Sequence, residues 1–387
     1  MVDLFKWCLS HTYFAGRITG VLNFEIDLKT GRAKVTRKAT ICAACSNLVV
    51  YIMLACYVIN VQRVVTVWAM TNRLQEYILV ALSVFRIICV SLSLVSRWCN
   101  RREFVQLIDS FSRQFGPEIL PYCRRRIYCK IFSTTAVNLI QFIIILIARW
   151  KLKDLSTTLS ILGLFSITVV ISMIIMQYFI AMANIRARYI LLNRELKAIV
   201  SETQNLNPKQ VGVFVTSCCN LADRLEKVAK AQSDLQAFID RLTTVFEVEV
   251  VCLIVTYFAN LVVNLYLLLS INEFNIISNI SLDFLTCIFT ALNVFYFVDF
   301  WVNASNIFSL LDAHEEMVVQ LSQRTSFQVL DPRLETVIDS FNLNLARNPF
   351  KLRFLGLFKI DRFALFALIN SILGHTIVLV QIEFENK

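Results

Sequence analysis

The chain has 387 residues, of which 57% are hydrophobic and only 17% charged, with a mean hydropathy of +0.62 and a net charge of +10. A soluble domain carries about 45–50% apolar and about 25% charged residues, so a water-soluble globule is excluded. The positive charge does not mark a nucleic-acid binder, because the basic residues cluster between apolar runs, where they serve as cytoplasmic anchors.

The first 38 residues carry seven basic residues and no apolar signal-peptide core, and read as an interfacial helix with a cytoplasmic lead-in. Seven apolar runs follow, at roughly 39–61, 77–96, 131–149, 158–183, 250–271, 280–302 and 363–382. Each is long enough to cross a hydrocarbon core of about 30 Å as a helix. The five prolines (117, 121, 208, 332 and 349) all fall outside these runs, so the spans are expected to be unkinked. A membrane β-barrel would instead show alternating segments of about ten residues. Trp68, Trp98, Trp150 and Trp301 sit at or beyond span ends, as interfacial aromatics do.

Orientation follows from the basic residues. The N-terminal segment and every second loop hold 31 of the 38 Lys and Arg; the other loops and the tail hold 6, and Arg86 lies within a span. The positive-inside rule therefore puts the N-terminus in the cytoplasm and the C-terminus outside. All 12 cysteines fall in spans or cytoplasmic segments, so no extracellular disulfide is expected. Cys42-Ala-Ala-Cys45 has metal-like spacing but opens an apolar helix without partner ligands, and no metal or cofactor is expected.

The fourth and fifth spans read as running on into the cytoplasm as helices. Leu221, Leu225, Val228, Gln232, Leu235, Ile239, Leu242 and Phe246 form a heptad stripe with one polar break. Two readings stand, packing within one chain or a subunit interface. The 303–362 segment reads as cytoplasmic helix, with Asp331-Pro332 as a helix start and Asn348-Pro349 as a break. Asn279-Ile-Ser281 is a sequon so close to two spans that glycosylation is not expected. The expected fold is thus an all-α membrane protein: one seven-helix domain, N-terminus inside, with long cytoplasmic helix extensions.

Enzyme signatures fail. The three histidines (11, 314 and 375) are far apart, and no HExxH, Gly-rich phosphate loop or GxSxG occurs. A cation inside a span is costly, so Arg86 is expected to face the bundle interior. Asp283 is its favoured partner, with Asp299 nearer the inner end. A structural ion pair and the polar floor of an outward pocket are both open readings. Tyr77, Ser83, Gln141, Tyr257, Asn260, Asn264, Tyr266 and Phe284 add scattered polar and aromatic groups for such a pocket.

The last span is unusual. At about 100° per residue, Asn370, Gly374, Ile377 and Gln381 share one narrow stripe. A lipid-facing helix has no use for it, so this helix is expected to face protein and water. Gln381, Glu383 and Glu385 lie at its outer end, where in a symmetric oligomer they would form cation-attracting rings; the other reading is a short solvated tail without a role, the favoured one for Glu385. His375 is expected to hydrogen-bond between helices.

Seven helices invite a comparison with receptors that signal through G proteins, which is the competing reading. It predicts an external N-terminus, against the charge count. No Asp-Arg-Tyr follows the third span and no Asn-Pro-x-x-Tyr lies in the seventh. A transporter is a third reading, without the inverted repeat it needs.

The inverted chain with a polar last helix resembles the insect gustatory receptors of the odorant and gustatory receptor superfamily. Their last span carries Thr-Tyr, five apolar residues and Gln-Phe. Here Gly374-His375, then residues 376–380, then Gln381-Ile382 occupy those places. The spacing and the Gln are kept, while the other positions differ. Asn23-Phe-Glu-Ile-Asp27, Cys218-Cys-x-Leu-Ala-Asp-Arg224 and Arg347-Asn-Pro349 also resemble fly members of the bitter type. The resemblance implies a tetrameric ligand-gated cation channel in the plasma membrane of gustatory neurons. A small-molecule tastant would bind the outward pocket, other gustatory receptor subunits would be partners, and Gln381 and Ile382 would form the gate.

Overall fold

The computed structural model describes residues 2–27, 32–60, 73–114, 117–151, 155–206, 211–274, 280–322, 331–350, 352–354, 356 and 358–385. Eleven helices occur among them: α1 (Val2–Ile18), α2 (Arg37–Ile59), α3 (Arg73–Cys99), α4 (Arg101–Gln114), α5 (Leu120–Lys151), α6 (Leu155–Gln204), α7 (Val211–Val245), α8 (Glu247–Phe274), α9 (Ile280–Ser322), α10 (Pro332–Arg347) and α11 (Arg362–Glu385). Seven of these, α2, α3, α5, α6, α8, α9 and α11, are long and apolar enough to cross a membrane. They coincide with the seven expected spans, although α5 starts 11 residues before the third apolar run.

Helix α6 is the spine. Its 50 residues correspond to about 75 Å, more than twice the hydrocarbon thickness. It packs against α2, α5, α7 and α9. Gly163 makes the contact with α2 close: a Cβ there would sit 2.7 Å from the Met53 carbonyl oxygen. Gly20, at φ +72°, turns the chain after α1 in a conformation that L side chains rarely adopt.

Below the spans, α4, α7, α10 and the lower parts of α6 and α9 share one apolar core. Every residue of the heptad stripe on α7, Gln232 included, is buried against this chain. The stripe is therefore packing within the subunit. Its last residue, Phe246, separates α7 from α8, yet the hydrogen bonds run on: its N–H donates to Leu242 O at 3.0 Å and its carbonyl accepts from Val250 N–H at 2.9 Å. Phe246 thus joins the cytoplasmic core to the fifth span.

Local signals set the ends of these elements. Thr36 caps α2 by accepting from Ala39 N–H at 3.2 Å, a contact worth about 1 kcal/mol. Asp331 caps α10 ahead of Pro332, and Asn348 ends it. Two short antiparallel strand pairs occur among the described residues. The first, Glu25–Ile26 with Ala33–Lys34, is tied to α4 where Asp109 accepts from Ala33 N–H at 2.7 Å. The second, Arg353–Phe354 with Phe358–Lys359, leads into α11, whose first turn is capped by Asp361 accepting from Ala364 N–H at 2.7 Å.

A buried ion pair joins the inner ends of α3 and α8. Arg97 lies 3.3 Å from Glu249, and its guanidinium stands over the rings of Phe104 and Phe246 at 4.3 and 5.0 Å. Outside the spans, Arg224 reaches both Glu195 and Glu202, and these two carboxylates raise its affinity for its proton.

Candidate functional site

Helices α3, α5, α6, α8 and α9 converge on a small cavity in the bundle interior, lined among others by Arg86, Thr168, Tyr257, Asn260, Tyr296 and Asp299. Its volume is about 20 Å³, room for a water-sized molecule. Arg86 donates from Nη2 to Thr168 Oγ1 at 3.2 Å and to the Tyr296 hydroxyl at 3.4 Å. Gln141 Nε2 donates to the same hydroxyl, so Tyr296 links α3 to α5. Arg86 Nε and Gln141 Oε1 are buried with no hydrogen-bond partner among the described residues.

Asp299 is not Arg86's counter-ion. It belongs to Lys130, whose Nζ lies 2.7 Å from both carboxylate oxygens. Ser133 and Thr134 donate to Oδ1 at 2.6 and 3.2 Å, and the Tyr257 hydroxyl donates to Oδ2. Asn303 in turn donates to that hydroxyl at 3.0 Å. The result is a charge-paired cluster tying α5, α8 and α9 together at the inner edge of the cavity. In the sequence Lys130 counts as one more cytoplasmic anchor. The cue to its burial is the run Lys130-Ile-Phe-Ser-Thr134, which puts two hydroxyls one turn from the ammonium at the mouth of a span.

The other expected pocket residues are distributed more widely. Tyr257 and Asn260 line the cavity, and Gln141 reaches it through Tyr296. Ser83 is buried but donates to Leu79 O of its own helix at 2.8 Å. Tyr77 is 70% exposed near the outer start of α3. The half-buried Asn264 accepts through its backbone carbonyl from Asn293 at 3.4 Å. Tyr266 is buried at the outer end of α8. The side chains of Asp283 and Phe284, and the sequon residue Asn279, lie outside the described residues.

Helix α11 packs mainly on α8, and only Ile372, Thr376 and Glu383 are buried along it. Asn370, Gly374, Ile377 and Gln381 are all exposed, on the side turned away from this chain's own bundle. Ile382 is 37% exposed beside them. Glu383 departs from the expected ring: it is 3% exposed and turned inward. Ser270 of α8 donates to its Oε1 at 2.9 Å, and Gln75 of α3 donates to Ser270 at 2.7 Å and to Glu383 at 3.4 Å. Two residues along a helix is a rotation of about 200°, which puts Glu383 opposite Gln381. Glu385 is exposed. His375 is exposed rather than buried, with Nδ1 2.7 Å from Ser371 O of its own helix and its ring edge-on to Phe258 of α8 at 5.6 Å.

A family profile described as 7tm Chemosensory receptor matches residues 9–386. This chain belongs to the insect chemosensory receptor family. Drosophila melanogaster putative gustatory receptor 59d is 46% identical over 389 residues, covering all of both chains. Putative gustatory receptor 36b of the same fly is 29% identical, again over the full length of both. The solved olfactory receptor OR5 of Machilis hrabei superposes with a TM-score of 0.61 at 13% identity, covering 98% of this chain and 99% of that one. A second structure of OR5, in complex with eugenol, superposes equally well. The seven-helix fold is thus shared, and the family is one of receptors rather than enzymes.

The Lys130–Asp299 pair generates a direct prediction. Asp299→Ala leaves an ammonium buried without a counter-ion and costs about 3–5 kcal/mol. The thermal midpoint of the detergent-solubilised receptor should fall sharply. The double change Lys130→Met with Asp299→Leu should recover much of the loss, because it removes both charges.

Proposed function

We propose that this receptor is a subunit of a ligand-gated, non-selective cation channel in the plasma membrane of gustatory sensory neurons, opened by bitter small molecules from outside. The observation that carries the reading is the exposed stripe Asn370, Gly374, Ile377 and Gln381 on α11. Polar groups facing away from their own bundle at membrane depth need water or another subunit. Four copies of the stripe around an axis satisfy both needs. Gln381 and Ile382 then constrict the outer mouth, and Ile382 closes it by dewetting. The partners are further copies of this chain or other gustatory receptor subunits. The bitter assignment rests on the resemblance to fly members of that type.

The interior cavity is the tastant site in this reading. Arg86, with an unpartnered Nε, offers a cationic donor, Gln141 an unpartnered carbonyl, and Tyr257 and Asn260 the adjoining wall. At about 20 Å³ it holds no tastant as it stands. A ligand therefore favours an expanded arrangement of α3, α5, α6, α8 and α9, and shifts the population only to the extent that it binds that arrangement better. Eugenol bound to OR5 supports small-molecule recognition within this fold.

Three measurements test the proposal. An epitope appended at the C-terminus should be stained on unpermeabilised cells; staining only after permeabilisation would overturn the channel reading in favour of G-protein signalling. Arg86→Ala should raise the tastant concentration for half-maximal current about 10–100-fold, the loss of a charged hydrogen bond worth about 1.5–3 kcal/mol, at unchanged surface expression. Gln381→Ala, recorded with co-receptor subunits present, should alter cation permeability or open-state current while the tastant dose dependence stays put. Currents identical to those of the unmodified receptor would place the pore elsewhere.

A further inference from the structure

A second, larger cavity lies nearer the cytoplasmic ends of the spans than the one holding Arg86. It has a volume of about 390 Å³ and is bounded by the inner halves of α8 and α9, the first three turns of α11 and the middle of α6. Phe179, Met182, Leu253, Phe300, Ile307 and Leu368 are among its walls. Polar groups lie at its ends. At one end Tyr257 and Asn303 are already committed to the Asp299 cluster. At the other, Lys359 and Asp361 form an ion pair at 2.9 Å, with both side chains partly exposed.

Three properties select an occupant. The volume falls within the range of small-molecule sites, about 300–1,000 Å³. The cavity's surface is mostly apolar, so water filling it would find few hydrogen-bond partners. Left empty, a space of this size sacrifices packing contacts of the residues around it. The charged end stands where α11 begins, at the cytoplasmic face set by the basic-residue asymmetry. An apolar slot with one charged mouth at head-group level fits an amphiphile lying with its tail inward.

We propose that this cavity is a binding site for a hydrocarbon chain, with the polar head of the molecule at Lys359 and Asp361. The chain fills the space between α11 and the α6–α9 wall and props the inner half of α11 away from them. Leu253 and Tyr257 line both this site and the cavity of Arg86, so the two are adjacent but chemically distinct. The proposal does not depend on the channel reading. The chain has two sources, a phospholipid of the cytoplasmic leaflet or a free fatty acid, and the test separates them.

The full-length receptor is reconstituted in nanodiscs containing phosphatidylcholine with a mid-chain diazirine, or unlabelled phosphatidylcholine plus a diazirine fatty acid. After irradiation, adducts are mapped by mass spectrometry. Adducts are expected on residues 253–258, 300–308 and 364–371, from whichever of the two molecules is the source. Peptides from α2, whose Leu48 and Ile52 are exposed, report ordinary lipid contact. Ala304→Phe and Ala367→Phe each fill the cavity and should lower the cavity adducts about tenfold while the α2 adducts persist. Ala304 is buried and Ala367 exposed, so the second variant stands even if the first disturbs packing. Cavity labelling no stronger than that of α2 with both probes, or labelling indifferent to Ala367→Phe, would overturn the proposal.

Discussion

A lysine ammonium buried at the edge of a membrane bundle has to be neutralised, and meeting that demand organises the centre of this protein. Lys130 is met by Asp299 from α9, and the carboxylate is then completed by hydroxyls from α5 and α8. A group this heavily bonded holds its three helices at one relative rotation and height, since any slip leaves a charge or a donor unpaired at low dielectric. The cluster also divides the interior. On its outer side is the small polar cavity with Arg86, on its inner side the large apolar one, and Tyr257 borders both.

What the sequence made legible follows from the range of each signal. Spans and their direction depend on hydropathy and on loop charge, both local, and seven helices of the expected character are present. The Asp331-Pro332 start and the Asn348 stop are equally local. The heptad on α7 showed that one face would be buried but not against what, since a stripe has the same form whether its partner is in the same chain or another. Pairings between spans were least legible. Arg86 meets Thr168 and Tyr296, 82 and 210 residues away, and Asp299 meets Lys130 at a separation of 169. Helix rotation decides such pairs, and one sequence does not encode it visibly. Glu383 is the instructive exception: the 200° between it and Gln381 already puts this acid and that amide on different faces.

Helix α11 shows how a bilayer changes the meaning of exposure. Phe363, Phe366 and Val378 are exposed on the isolated chain, which in lipid carries no penalty. Asn370 and Gln381 are different, because unmet amides in hydrocarbon favour association with something polar. The energetic pressure on this helix to find neighbours therefore comes from a few polar atoms rather than from its large apolar surface.

The inward turn of Glu383 has a mechanical consequence. The two helices that hold it, α3 through Gln75 and α8 through Ser270, also carry Arg86 and Tyr257. Arg86 is 11 residues from Gln75, roughly 17 Å along one helix, and Tyr257 is 13 residues from Ser270, roughly 20 Å along another. Glu383 thus ties the tip of α11 directly to the two helices that carry Arg86 and Tyr257, with no loop in between.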